Sequence, residues 1–280
     1  MDCVLLASGS KGNCIYVGNG TDAVIIDAGI GYLYRTLEEY KLPAEQIRTL
    51  LVTHEHADHV RSAKAFLKSA HIPISASGGT LSSMEHGNLI PASSGKILLK
   101  EDEPALYNSL TVTSFGTYHD AAEPTGFVID DGDARIGVCL DTHKVSERMF
   151  SVLSACDAVV LESNYSEPAM KSDRFEPCGT CRKCGAECNG NCAVLHPYPR
   201  YLKDRIRKDG HLSNEASSAV LSALKKSVGT IALAHLSENY NRPNIARKMA
   251  EEALSSGGAA LFVSDQCPMY REKRMVRFSV

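Results

Sequence analysis

The chain begins with short apolar runs separated by glycine and small polar residues. Cys3 to Ala7, Cys14 to Gly18 and Ala23 to Ile26 predict three consecutive strands, with Ser8-Gly9-Ser10-Lys11-Gly12-Asn13 and Asn19-Gly20 as turns. A helix over Gly31 to Tyr40 and a strand over Thr49 to Val52 follow. From His59 to Ala70, apolar residues recur at Val60, Ala63, Phe66 and Leu67, a helical period. Shorter strands are expected at Pro73 to Ala76, Lys96 to Leu99, Leu110 to Phe115, Gly126 to Ile129 and Arg135 to Leu140. The second half predicts helices over Ser146 to Leu153, Asn214 to Lys225 and Asn244 to Leu254. Between and after them come strands at Ala158 to Leu161, Thr230 to Ala234, Ala260 to Val263 and Met275 to Phe278. Strand-rich halves, each completed by helices, predict an α/β sandwich with sheets inside and helices outside. One domain over residues 1–280 is expected, interrupted by a Pro-, Gly- and Cys-rich insertion from Glu167 to Pro197.

Composition narrows the class without choosing a function. A chain of 280 residues with 44% hydrophobic and 22% charged residues can bury a sizeable core. Its formal charge of −3 gives no global basic signature, so any nucleic-acid contact must come from a local patch. No apolar run approaches the roughly 20 residues of a membrane span, and the N-terminal apolar run is too short for a secretory signal. A cytoplasmic, reducing setting is therefore expected. Cys3, Cys14, Cys139, Cys156 and Cys267 sit among strand-like residues and read as small buried hydrophobes.

The chemistry is concentrated in His54-Glu55-His56-Ala57-Asp58-His59, directly after the apolar Leu50-Leu51-Val52. A strand ending in such a loop presents three imidazoles and Asp58 from one rigid platform, a donor set that suits zinc, iron or manganese. His119, Asp141 and His235 also stand where strands end in polar turns. With the cluster they make five His and two Asp, a ligand set for two cations with one shared carboxylate. Two cations about 3.5–4 Å apart polarise a phosphoryl oxygen and generate a bridging hydroxide at neutral pH.

Here the motifs become specific. Asp27 in Val24-Ile25-Ile26-Asp27-Ala28-Gly29, the run from His54 to His59, His119, Asp141 and His235 resemble, in order, the five motifs of the metallo-β-lactamase superfamily. The resemblance spans nearly the whole chain. Leu6-Ala7-Ser8-Gly9-Ser10-Lys11-Gly12-Asn13, His119-Asp120-Ala121-Ala122-Glu123-Pro124, Leu161-Glu162-Ser163-Asn164, Gly210-His211-Leu212-Ser213-Asn214 and Ala234-His235-Leu236-Ser237 are similar to the YycJ/WalJ family of bacterial nucleases within it. The resemblance implies a four-layer αββα sandwich, two mixed sheets flanked by helices. It implies that His54, His56 and His119 hold one metal and Asp58, His59 and His235 the other, with Asp141 bridging. Asp27 is expected to orient a ligand. Asp58, Asp141 and His211 become the catalytic candidates. The implied activity is 5′-to-3′ exonuclease action on DNA, with a role in DNA repair. Fold alone does not decide the substrate, and a lactonase, thioesterase or cyclic phosphodiesterase is the alternative.

The residues themselves speak to nucleic acid in one place. Arg200, Lys203, Arg205, Arg207 and Lys208 face Asp204 alone and lead into His211. A basic helix there could track a phosphate backbone, or it could be a solvated face. Arg200, Lys203, Arg207 and Asn164 are substrate-binding candidates. His211 and Asn214 could grip a phosphate at a helix N-terminus, or Ser213 or Asn214 could be its cap and His211 a packing residue. Ser10 and Asn13 line the same cleft or simply make a tight turn. His143, two residues past Asp141, departs from the family pattern and is not expected to act.

Cys178, Cys181, Cys184, Cys188 and Cys192 form a second cluster, in the insertion that the YycJ/WalJ pattern lacks. Such density in a reducing compartment reads as metal binding rather than disulfides. Four thiolates could close a structural zinc site. The first four also fit a ferredoxin-type spacing, with Asn189 where proline is usual.

Overall fold

The computed structural model describes residues 1–175, 180–181, 186–187, 192–194, 196–264 and 275–280, with 180–181 and 186–187 described by backbone alone. The first half runs β1 (Asp2–Ala7), β2 (Cys14–Gly18), β3 (Ala23–Ile26), α1 (Leu33–Glu39), β4 (Ile47–Leu51), α2 (Ala57–Val60), α3 (Ala63–Ala70), β5 (Ile74–Ala76), α4 (Gly78–His86) and β6 (Lys96–Leu98). It continues through β7 (Pro104–Tyr107), β8 (Leu110–Gly116), β9 (Thr125–Asp130), β10 (Arg135–Cys139), α5 (Glu147–Ser154), β11 (Ala158–Glu162) and α6 (Glu167–Ser172). A small hairpin, β12 (Thr180–Cys181) and β13 (Ala186–Glu187), precedes α7 (Arg200–Arg205), a π turn at Ile206–Gly210 and α8 (Asn214–Leu224). The chain closes with β14 (Thr230–Ala234), α9 (Pro243–Leu254), β15 (Ala260–Val263) and β16 (Val276–Ser279).

Two seven-stranded mixed sheets, β16-β1-β2-β3-β4-β5-β6 and β15-β14-β11-β10-β9-β8-β7, lie face to face. In each, an antiparallel half passes into a parallel half: β3, β4, β5 and β6 in the first, β10, β11, β14 and β15 in the second. Alternation along the strands sorts their side chains into separate cores. In β2, Ile15 and Val17 point between the sheets, to meet Val112, Phe127 and Val138 of the second sheet. Cys14 and Tyr16 point outward to a core shared with Leu33, Leu37, Phe66, Leu67 and Met84 of the helices on that side. The second sheet's outer face packs Val159, Leu161, Ile231 and Leu233 against α5, α8 and α9. Three such interlayer cores make the four-layer αββα sandwich. Strands buried on both faces explain why β1 to β4 read as almost unbroken apolar runs.

The elements differ from expectation where polar contacts intervene. The helix expected from His59 to Ala70 is divided, because Ser62 directs both its amide and its hydroxyl to the Ala28 carbonyl, at 2.8 and 2.9 Å. Helix α1 starts later than Gly31, since Tyr32 adopts a left-handed backbone (φ 63°). Helix α4 was hidden by Gly78 and Gly79, poor helix formers that a Ser77 cap compensates by accepting from the Thr80 amide. The basic helix ends at Arg205 and widens into the π turn, with the His211 amide bonded to the Ile206 carbonyl five residues back at 2.8 Å.

Within the insertion, Glu167 to Ser172 is helix α6. Asp173 to Phe175 then pairs antiparallel with Cys192 to Val194, through Phe175 N–H to Cys192 O and Val194 N–H to Asp173 O, each 2.8 Å. Phe175 and Val194 pack against Tyr165, Met170 and Tyr240. Cys178, Cys184 and Cys188 lie outside the described residues, as does Cys267, and Cys181 is described in its backbone alone. Cys3, Cys14, Cys139 and Cys156 are buried hydrophobes, as expected.

Candidate active site

The site forms where the parallel strands end. Asp27 follows β3, His54 follows β4 after Val52 and Thr53, Asp141 follows β10, Glu162 is the last residue of β11 and His235 follows β14. Carboxyl ends of parallel strands are the usual place for sites in open α/β sheets. Asp27, Asp141 and His235 share a feature: each leaves its strand with a left-handed backbone, φ 61°, 49° and 53°. That conformation costs about 1–2 kcal/mol for most residues, and Asp, Asn and His bear it best. It turns each side chain off the strand into one cleft. Gly29 supports the same arrangement, since a Cβ there would lie 1.7 Å from the Asp58 carbonyl oxygen.

Hydrogen bonding fixes which imidazole nitrogens face the cleft. His119 Nδ1–H donates to the Gly210 carbonyl at 2.7 Å, which leaves Nε2 as a lone pair. His59 Nδ1–H donates to Asp27 Oδ2 at 2.7 Å, so its Nε2 is also a lone pair. The Thr53 hydroxyl donates to Asp27 and accepts from His54 Nδ1 at 3.0 Å, freeing His54 Nε2. His54 Nε2 and His119 Nε2 each stand 3.1 Å from His56 Nδ1. His59 Nε2 faces Asp141 Oδ2 at 2.8 Å, yet this buried oxygen makes no hydrogen bond. His235 Nε2 lies 3.4 Å from Asp58 Oδ2, while its Nδ1 faces Glu162 at 3.2 Å and Asp141 at 3.3 Å. Lone pairs that converge this closely repel unless a cation lies among them. The donors fall into His54–His56–His119, Asp58–His59–His235 and, between them, His54–His59–Asp141, with Asp141–Glu162–His211–His235 as a further group behind them. The residues present therefore fit two divalent cations, with Asp141 between the groups and Asp27 holding the His59 tautomer.

The electrostatics agree. Burial, helped by neighbouring His59, holds His54 well below the ordinary histidine value, and burial also lowers His119, so both offer neutral nitrogen. Burial opposes charge on His59 too, but Asp27 and Asp141 outweigh it and push the group well up. His235 rises to about 9 against its burial, driven by Asp141, Asp58 and Glu162. Asp141 falls well below the carboxylate range despite full burial, because His235 and His59 surround it. Asp27, Asp58, Asp141 and Glu162 thus call for positive charge at this point.

A cleft of about 270 Å³ opens over these groups, lined by Ser10, Asp120, Asn164, Tyr198, Leu202, Arg205, Ile206, Gly210, His211 and Ser237 besides His54, His56, Asp58, His119, Asp141 and His235. His211 sits at its rim, Nδ1 2.6 Å from Glu162 and 3.1 Å from Asp141; these carboxylates outweigh its burial and raise it to about 10. Asn164 donates to the His235 carbonyl at 2.8 Å and lies 3.0 Å from its Nδ1. Asn13 is buried, its amide 3.0 Å from His59 Nε2 and 3.3 Å from Asp58 Oδ2.

Other sequence candidates stand elsewhere. Asn214 is buried and bonds Ser163 and Asn241, bracing the loops beneath the site, while Ser213 caps α8. Lys203 pairs with Asp173 at 2.6 Å and Arg207 with Glu167 at 3.2 Å, so both tie α7 and the π turn to α6 and the insertion's base. Arg200 begins α7 and is not among the cleft residues, nor is His143, which bonds the Tyr118 carbonyl. Two participants were not singled out from sequence. Glu162 is wholly buried and accepts from His211 and from the Thr142 and Leu212 amides. Its sequence signals are a carboxylate ending the otherwise apolar Ala158 to Glu162 and its place in the Leu161-Glu162-Ser163-Asn164 motif. Arg205, one of the basic run, reaches the cleft and pairs there with Asp120.

A family model described as the beta-lactamase superfamily domain matches residues 22–235. The chain is 31% identical over 260 residues to an exodeoxyribonuclease YycJ of Bacillus anthracis, covering 91% of this chain and 89% of that one. It is 27% identical over 248 residues to an exodeoxyribonuclease WalJ of Streptococcus pneumoniae, covering 86% and 84%. Among solved structures, the metallo-beta-lactamase fold protein YhfI from Bacillus subtilis superposes with a TM-score of 0.70 at 15% identity, over 99% of both chains. Sequence motifs, layered fold and convergent donors lead to one conclusion: the chain belongs to the metallo-β-lactamase superfamily, within its YycJ/WalJ family.

Proposed function

We propose that this metal-dependent hydrolase cleaves phosphodiesters, acting on DNA as a 5′-to-3′ exonuclease with a role in DNA repair. The observation that carries the reading is the seat of His211. Its ring centre lies 5.0 Å from that of His119 and 5.1 Å from that of His235, beside both donor groups. Glu162 and Asp141 hold its Nδ1, which leaves Nε2 to deliver a proton. Two divalent cations, zinc, manganese or iron, held by the seven ligands would polarise a phosphoryl oxygen and supply hydroxide at neutral pH. The chain's own part is then defined. Asp27, Thr53 and Gly210 fix the imidazole tautomers, Asp58 and Asp141 supply the negative charge that retains the cations, and His211 gives its proton to the departing alkoxide. The DNA substrate is supported by the relatives' names.

The experiment is a digestion of end-labelled single- and double-stranded DNA and RNA by the manganese-loaded protein, with His211→Ala in parallel. The variant is expected to lose roughly 10²–10⁴-fold on DNA, whose leaving group is an alkoxide. It should lose far less on bis(p-nitrophenyl) phosphate, whose leaving group needs no proton. Equal losses on both substrates would remove His211 from that role, and no polar digestion under any condition would return the function to a small-molecule hydrolase.

For the insertion we propose a structural zinc held by four of Cys178, Cys181, Cys184, Cys188 and Cys192. Support comes from their spacing, together with the antiparallel stem from Asp173 to Val194 that closes the segment's base. Elemental analysis should find one more tightly held zinc in the whole chain than in a variant with residues 176–191 replaced by a short linker.

A further inference from the structure

Asp120 and Arg205 face each other across the mouth of the cleft. The Arg205 Nε and Nη2 both engage Asp120 Oδ2. The other carboxylate oxygen, Oδ1, lies 3.4 Å from His119 Nε2, the nitrogen turned toward His54 and His56. Asp120 therefore holds the place of an anion, between a three-imidazole donor group and a guanidinium fork. Of the basic run, Lys203 and Arg207 are committed to Asp173 and Glu167, whereas Arg205 lines the cleft.

We propose, resting on the phosphodiester reading above, that Arg205 is the phosphate-binding residue of this cleft and that Asp120 is its internal placeholder. Non-bridging oxygens of the substrate phosphate take over the guanidinium as Asp120 swings aside. A guanidinium suits this exchange, because its planar fork accepts carboxylate and phosphate in the same bidentate way. The exchange is cheap: with the Arg205 side chain 56% exposed and Asp120 26%, the internal pair lies in the range where ion pairs contribute little. A phosphate also touching the cationic centre competes well against it. Neutral lactones and thioesters gain nothing from the guanidinium, so the pair acts as a filter for anionic esters.

The test titrates inorganic phosphate into the full-length, manganese-loaded protein by calorimetry. In parallel, initial rates are measured on a single-stranded oligodeoxynucleotide. Arg205→Ala should weaken phosphate binding about tenfold and raise KM for the oligonucleotide by a similar factor, with a smaller change in kcat. Arg205→Lys should recover part of the loss, since charge returns without the fork. Asp120→Asn, which removes the competitor's charge, should tighten phosphate binding about threefold. Phosphate binding that ignores Arg205, or its absence in the parent protein, overturns the proposal even if DNA is digested. Arg205-dependent phosphate binding without digestion of any oligonucleotide upholds the seat and removes the nuclease reading instead. Circular dichroism of each variant confirms that the exposed substitutions leave the fold intact.

Discussion

Glu162→Gln removes one negative charge from a site with no exposure and changes no side-chain volume to speak of. In the native protein, Oε1 accepts from His211 Nδ1 at 2.6 Å and faces His235 Nδ1 at 3.2 Å, while Oε2 accepts from the Thr142 and Leu212 amides at 2.9 and 3.2 Å. All four partners are donors. A glutamine amide can keep only one pair satisfied: whichever way it turns, its NH2 points at two N–H groups. The change therefore forfeits a hydrogen bond to a charged group, about 1.5–3 kcal/mol, and strands buried donors at about 1–3 kcal/mol more. The sum, roughly 2.5–6 kcal/mol, brackets the cost of about 3–5 kcal/mol for breaking a buried pair by removing one partner. In a protein of this size it should lower Tm by on the order of 10 °C. Because His211 also loses the carboxylate that holds it, kcat on DNA should fall about as far as in His211→Ala, roughly 10²–10⁴-fold. Urea denaturation of the chelator-treated protein measures the first effect, and steady-state kinetics after metal loading measures the second. A variant within about 1 kcal/mol of the parent and within twofold in kcat would refute the assignment of Glu162 as the anchor of His211.

Other consequences follow from the same geometry. Asp141→Ala deletes the carboxylate between the two donor groups; bound metal per chain should fall and hydrolysis should vanish, as read by elemental analysis and the oligonucleotide assay. Gly29→Ala places a methyl against backbone atoms, 1.7 Å from Asp58 O and 2.7 Å from Asn13 N, so the Asp58 loop must move; metal titration should show at least about tenfold weaker binding at the Asp58–His59–His235 group. Asp22 is held below the usual carboxylate range by the Ser109 hydroxyl at 2.6 Å, against its burial and with help from Arg48, the Ser109 amide and Asn108. Its depressed folded value means that its contribution is full above the unfolded value of about 3.9 and fades as pH falls through the folded one. Asp22→Asn should thus cost about 2 kcal/mol in urea denaturation at pH 7 and progressively less in strong acid.

The convergent donors of the cleft were legible in the sequence because each stands next to the strand that carries it. His54, Asp141 and His235 each sit within two or three residues of an apolar run whose ending locates them. The strands β1 to β4 were legible as apolar runs, but burial on both faces hid which residues meet which core. What stayed hidden depends on contacts between distant segments. Glu162 meets His211 across 49 residues, and nothing local separates an anchoring carboxylate from a capping one. The basic run could not reveal that Lys203 and Arg207 turn to Asp173 and Glu167 while Arg205 turns to the cleft, because those partners lie 30, 40 and, for Asp120, 85 residues away. The break between α2 and α3 depends on Ala28, more than thirty residues earlier.

The left-handed backbone at Asp27, Asp141 and His235 limits what can replace them. β-Branched residues are strongly disfavoured there by their own Cβ, whereas asparagine, aspartate and histidine bear the conformation best. Each member of that short menu still carries a donor atom. Exchange within it alters the charge of the centre while the loop keeps its course, so the cation preferred there can shift by single steps on an unchanged scaffold. At Asp141 and His235, the two proposed ligands of the three, choice of cation and course of the fold would in this way be uncoupled.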